Sequence, residues 1–161
     1  MSKAKAVYQF APILDRHIFY SNCLDAAVDL IKEYYTPSSI DFKELEALKE
    51  DFKHAKGLSV MVTSKTNDEK QMCYIMNVDD SADINVVTHE ATHITNYILE
   101  YVGIPLDELD DEIMAYTNGY FAEQFMINIR GYKPKQGALK KLKKNETKKT
   151  KSKSTNTKKR R

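Results

Sequence analysis

Apolar residues recur along this chain in two rhythms, and the change between them divides it. Leu24, Ala27, Val28, Ile31 and Tyr35 are three or four apart, which predicts a helix stopped by Pro37. Ser21 stands where its N-cap is expected. Phe42, Leu45, Leu48 and Phe52 mark the buried stripe of a second helix starting near Ser39 or Asp41, with Gly57 at the C′ position. The period then shortens. Residues 58–64 and 71–78 are short, rich in β-branched and aromatic side chains and bounded by polar clusters, so they read as two antiparallel strands joined through 65–70. Residues 5–13 read as a further strand or an extended arm.

Helical spacing returns after the acidic cluster 79–83, which supplies caps for a helix over 84–102. Gly103 and Pro105 are its stop signals. A last helix runs from near 107 to 129 or 130, ending at Gly131 with Pro134 beyond. Its acidic first turn (Asp107, Glu108, Asp110, Asp111) suits the positive end of the helix dipole. Gly119 in its interior costs up to about 1 kcal/mol relative to Ala. From 133 onward there is no apolar period, and Lys, Thr, Ser and Asn dominate. Such a stretch buries too little apolar surface to offset ordering entropy and is predicted to be disordered. The expected organisation is one α+β domain over 1–132, mostly helical with a small antiparallel hairpin or sheet beside the helix over 84–102, then a tail over 133–161.

Charge sharpens that boundary. The formal net charge of +2 over 161 residues is an average of two unlike materials. Residues 1–132 hold 11 Lys/Arg and 22 Asp/Glu, a net of −11. Residues 133–161 hold 14 Lys/Arg and one acid, Glu146, a net of +13. A flexible polycation binds polyanions by counterion release without sequence choice, so non-specific nucleic acid is the partner this tail suits. A solubilising tail, or one that folds back on the acidic body, is the plain alternative. No aromatic residue is interleaved beyond Tyr132, so base stacking is not indicated.

Other classes are excluded by counting. Two cysteines, Cys23 and Cys73, are too few for a disulfide scaffold, and their apolar neighbours suggest buried free thiols. No run of about 18 apolar residues exists, so no membrane partner is expected. Asp15, Arg16 and His17 come too early for a signal peptide, and a cytoplasmic protein is expected.

Chemistry enters on the helix over 84–102, as His89-Glu90-Ala91-Thr92-His93. Two imidazoles at i and i+4 leave one face of a helix one turn apart, where they can share one tetrahedral zinc ion. Glu90, beside the first of them, can take the proton of an attacking water and later pass it to a leaving amine. In a chain of this composition the pattern arises by chance about 0.007 times. Val87, Ala91, Ile94, Ile98 and Tyr101 form the opposite, buried stripe.

A catalytic zinc needs a third protein ligand and an open position. The metzincin pattern would put Gly at 96 and His at 99, where Asn96 and Leu99 stand, and the reversed HxxEH order is absent. The remaining common solution is a carboxylate from a following helix. Glu112 stands nineteen residues after His93, beyond a Gly103–Pro105 turn able to fold that helix back.

His89-Glu90-x-x-His93 followed by Glu112 resembles the gluzincin class of zinc peptidases, and residues 85–124 resemble small uncharacterised metallopeptidases encoded by bacteriophages. The resemblance covers about 40 residues and is specific for the zinc site rather than for a substrate. It implies a minimal zincin-like domain and one zinc per chain held by His89, His93 and Glu112. It also implies Glu90 as general base, a protein or peptide substrate, and host cytoplasm for a phage-encoded chain. Thermolysin-like members carry an Asp four residues after the ligand Glu; here that position is Tyr116. Tyr116 is the first choice for assisting at the site, ahead of Tyr120, Tyr97, His17 and His54. Asp110 and Asp111 are neighbouring candidates for a ligand or an orienting carboxylate, with Glu108 behind them. Zincin peptidases usually hold substrate as an added strand at a sheet edge, for which the 58–78 hairpin is the candidate. The competing readings are a non-catalytic zinc-containing protein that binds nucleic acid or protein on the same scaffold, and a phage virion or assembly component.

Overall fold

The computed structural model describes residues 3–11, 16–65, 72–104 and 111–134. Eight elements follow one another: β1 (Ala6–Ala11), β2 (Arg16–Ser21), α1 (Leu24–Tyr34), α2 (Phe42–Asp51), β3 (Gly57–Val62), β4 (Cys73–Val78), α3 (Ile84–Tyr101) and α4 (Asp111–Asn128). The strands form one mixed sheet in the order β1-β2-β4-β3. β1 and β2 are antiparallel, β2 and β4 are parallel, and β3 and β4 are antiparallel. The class is α+β, as the two sequence rhythms predict, but the sheet is larger than a hairpin.

The added strand is β2, which the pattern of the chain did not reveal. Its run His17-Ile-Phe-Tyr has the β-branched and aromatic character of a strand, yet of its two partners, β1 and β4, the second lies more than fifty residues downstream. Ser21 is therefore not an N-cap. It ends β2, and its hydroxyl donates to Asn77 Oδ1 of β4 at 2.6 Å. Cys23 occupies the cap position of α1, without a side-chain hydrogen bond to the first turn. Gly57 is likewise not a C′ residue: α2 ends at Asp51 with Phe52 as its C-cap, and Gly57 opens β3.

Alternation along the two inner strands sorts side chains to opposite faces. Ile18, Tyr20, Tyr74, Met76 and Val78 pack with Val87, Ala91, Ile94 and Ile98 of α3 and with Phe121 and Phe125 of α4. Phe19, Cys73 and Ile75 pack on the other side with Ala27, Val28 and Ile31 of α1 and Leu45 of α2. Every residue of β4 is buried, the mark of a strand covered on both faces. Burial pushes the Cys73 thiol well above its ordinary value, so it behaves as an inert core side chain. Cys23 is only half-buried, which corrects the expectation of two buried thiols.

α3 begins and ends as its sequence dictates. The Asp83 carboxylate accepts from the N–H groups of Asn85 and Val86 at 2.9 and 3.2 Å. Gly103, at φ +76°, lets Ile104 N–H reach Leu99 O and its own N–H reach Glu100 O, both at 3.0 Å. α4 lies antiparallel to α3. Asn118 Nδ2 donates to Thr92 Oγ1 at 2.7 Å in mid-helix. Arg130, just beyond α4, donates to the carbonyls of Asp79, Asp80 and Ala82 in the turn before α3.

Among the described residues no helix is long and apolar enough to cross a membrane. The connection over 66–71, Pro105, Asp107, Glu108, Asp110 and the Lys-rich segment from 135 lie outside the described residues.

Candidate metal centre

α3 presents His89 and His93 together on its exposed side. Their Nε2 atoms stand 3.1 Å apart, and the rings meet edge to face with centroids 4.7 Å apart. Two nitrogens at zinc bonding distance on adjacent corners of a tetrahedron are about 3.3 Å apart. The paired nitrogens therefore already converge on the volume that a common metal ion would fill. One stacking neighbour steadies the pair: the ring of Tyr97 lies 6.5 Å from that of His93, at 26°. Tyr97 in turn stacks on Tyr74 at 6.4 Å, and its hydroxyl is 3.5 Å from Ser59 O of β3.

Glu90 packs between α3 and the start of β3, against Gly57. It is 5 % exposed, and its Oε2 is buried with no hydrogen-bond partner. Its place against β3 depends on Gly57. A Cβ at position 57 would lie 2.5 Å from Glu90 Oε1, 2.8 Å from its Cγ and 2.8 Å from Val86 Cγ1. Two residues along β3, Ser59 Oγ donates to the backbone carbonyl of Glu90 at 2.9 Å. A carboxylate kept out of water with one oxygen unsatisfied costs stability, and such groups gather where a protein does chemistry.

The donor set fits a zinc ion in part. Two imidazole nitrogens converge, and a buried orphan carboxylate lies one residue from the first of them. Among the described residues, however, no three His, Cys, Asp or Glu side chains stand close enough to share a metal ion. Glu112 is therefore not brought to the histidine pair. The helix register gives the reason. Asn118 is level with Thr92, and Glu112 precedes Asn118 by six residues, about 9 Å of helix rise. In an antiparallel pair this sets Glu112 level with Ile98, more than a turn beyond His93.

The other expected participants scatter. Tyr116 is 76 % exposed on α4. The Tyr120 hydroxyl accepts from Gln9 Nε2 of β1 at 3.2 Å. His17 sits on the opposite face of the sheet, its Nδ1 2.9 Å from the Tyr8 hydroxyl and its ring edge-on to Tyr35, just beyond α1. His54 lies exposed in the turn after α2. Asp111 opens α4, and only its backbone position is described. Of the five aromatic and imidazole candidates, Tyr97 is the one in ring contact with the pair.

No protein-family model, curated protein or solved structure matches this chain. The functional reading therefore rests on its own geometry. That geometry adds three residues that sequence spacing did not single out as functional. Gly57 and Ser59 shape the bed of Glu90, and Asn118 sets where α4 lies along α3. No local signal marks them, because each matters only through a partner distant in the chain.

Proposed function

We propose that this protein is a zinc-dependent hydrolase that cleaves peptide bonds. The observation that carries the reading is the juxtaposition on α3 of two converging imidazole nitrogens with a buried carboxylate that has an unpartnered oxygen. His89 and His93 would hold the ion, with Glu112 at the first turn of α4 as the third ligand. Completing the set requires the start of α4 to approach the histidines. When bound, zinc supplies Lewis acidity, polarising a carbonyl and making a water acidic enough to lose its proton near neutral pH.

The rest is done by the chain. Glu90 accepts the proton of the attacking water at its carboxylate and returns it to the departing amine. Gly57 and Ser59 hold Glu90 against β3, and the half-buried Tyr97 orients the His93 ring. β3 is an edge strand of the sheet, with no strand paired on its outer side over Gly57–Val62 among the described residues, and it is bridged at Ser64 by Ile40. An extended peptide added there would run past Glu90.

The test is metal content and turnover together. Wild type should purify with, or take up, about one zinc per chain, and Glu112→Ala should lose affinity for it. Glu90→Gln should keep the zinc and lose hydrolysis of an unstructured protein such as casein. A wild type that takes up no zinc would overturn the site, and a fully active Glu90→Gln would overturn the role of Glu90. Zinc uptake without turnover by wild type would instead favour a non-catalytic zinc protein.

A further inference from the structure

α4 is apolar on both sides, which packing against α3 and the sheet does not require. Phe121 and Phe125 fill the core side. Ile113, Tyr116, Tyr120 and Ile127 follow one another at three, four and seven residues, so they form one stripe on the side opposite those two rings. Ile113 is 44 %, Tyr116 76 % and Tyr120 40 % exposed, and Ile127 is half-buried. Aromatic and aliphatic side chains exposed in one line mark an interaction surface.

Charge narrows what can cover it. α4 carries Asp111, Glu112 and Glu123 and no Lys or Arg over its 18 residues. Glu112 and Glu123 are three turns apart on one side of the helix, where they border the stripe. A second copy of this face would set acids against acids. The complementary surface is basic and carries a few apolar side chains. The chain holds one such segment. Within residues 133–161, at a net of +13, Ala138, Leu139 and Leu142 stand together, and no Val, Ile, Leu, Met or aromatic residue follows them. Lys140, Lys141, Lys143 and Lys144 surround the leucines.

The end of α4 places that segment within reach. Gly131, at φ +69°, lets the Tyr132 N–H return to Met126 O at 2.9 Å, so the chain turns across the helix end instead of running on along the axis. The last described residue is Pro134. The five residues from there to Leu139 can span up to about 17 Å. Tyr120 lies eight residues before Asn128, the last residue of α4, which is about 12 Å of helix. Leu139 therefore reaches Ile127 and Tyr120, and Leu142 reaches on toward Tyr116. So short a tether gives the segment an effective concentration on the order of millimolar, above that of a separate molecule in micromolar solution.

We propose that residues 138–144 dock on the outer stripe of α4 of the same chain. Leu139 and Leu142 cover Ile127, Tyr120 and Tyr116. The lysine ammonium groups pair with Glu123 and lie over the two tyrosine rings. A polyanion that takes up the basic segment strips this cover and exposes the stripe. The docking is independent of the metal centre and holds whether or not the histidines bind zinc.

Two measurements on the full-length chain test it. The first compares nuclear magnetic resonance spectra of isotope-labelled wild type and the double variant Leu139→Asp/Leu142→Asp, which leaves every described residue unchanged. The amide signals of Ile113, Tyr116, Tyr120 and Ile127 and the ring signals of the two tyrosines should move, while Phe125 on the core side stays. The second is zero-length carbodiimide crosslinking of lysines to carboxylates in an equal mixture of labelled and unlabelled wild type, mapped by mass spectrometry. Crosslinks from Lys140, Lys141, Lys143 and Lys144 to Glu123 should exceed those to Glu33 and Glu44, exposed on α1 and α2, by about ten-fold, and should stay within one chain. Unmoved α4 signals in the variant overturn the proposal. So do crosslinks spread evenly over the three glutamates, and so do crosslinks that join two chains, which would make a second copy the occupant.

Discussion

His89 Nε2 and His93 Nε2 face each other across 3.1 Å on one side of α3. Either they share a proton as an N–H···N hydrogen bond, or both lone pairs are turned to one metal ion. Micromolar zinc should therefore stabilise the folded chain, by about 4 kcal/mol when free metal is a thousand-fold above its Kd. His89→Ala and His93→Ala should each abolish that gain in a thermal melt. Unchanged zinc stabilisation in both variants would move the metal elsewhere.

Gly57 has no side chain, and the Glu90 carboxylate fills the space a Cβ would take. Gly57→Ala forces Glu90 or Val86 to move, an overpacking cost of about 1–3 kcal/mol. In a Glu90→Ala background that obstacle is smaller, so the two substitutions should couple by about 1 kcal/mol or more in a double-mutant cycle. Additive effects in urea denaturation would show that residues 57 and 90 do not press on each other. Zinc affinity is expected to survive Gly57→Ala, because the histidines leave the helix on another face.

Gly119 sits exposed in the interior of α4, and nothing lies within 4 Å of the position its Cβ would take. Alanine there fits the helix and loses less backbone entropy on folding. Gly119→Ala should stabilise the protein by about 0.5–1 kcal/mol. The midpoint of urea unfolding reads it directly, and a lower midpoint would contradict the helical environment of residue 119.

Glu46 accepts hydrogen bonds from Lys32 and Lys49, and these ammonium groups hold its carboxyl far below the ordinary 4.5, at about 2. The folded value is depressed, so the contribution is present above the ordinary value and is lost as pH falls from 4.5 toward 2. The pair links α1 to α2 at the surface, where salt screens it. Melting temperature should fall less steeply over that acid range in Glu46→Gln than in wild type. Wild type in ~0.5 M NaCl should move the same way. Identical acid slopes would remove Glu46 from the acid response.

Legibility followed the range of the interactions. α3 was readable to within a residue because Asp83, Gly103 and its apolar period are local signals. The same locality put His89 and His93 on one face. β2 was not readable, since Ser21 looks like a cap until Asn77 is known to lie beside it. Gly57 looked like a helix terminator for the same reason: the residue it accommodates is thirty-three positions away.

By itself the sequence determined the helices, the strand pair β3–β4, the same-face histidines and the split between an acidic body and a basic segment. Those follow from periodicity, capping and charge, which act within a few residues. Tertiary packing alone decided that Glu90 is buried under the edge strand and that α4 meets α3 at Thr92 and Asn118, away from Glu112. It alone put His17 on the far face of the sheet. Each of these depends on which distant surfaces close together, and no spacing along the chain encodes that contact.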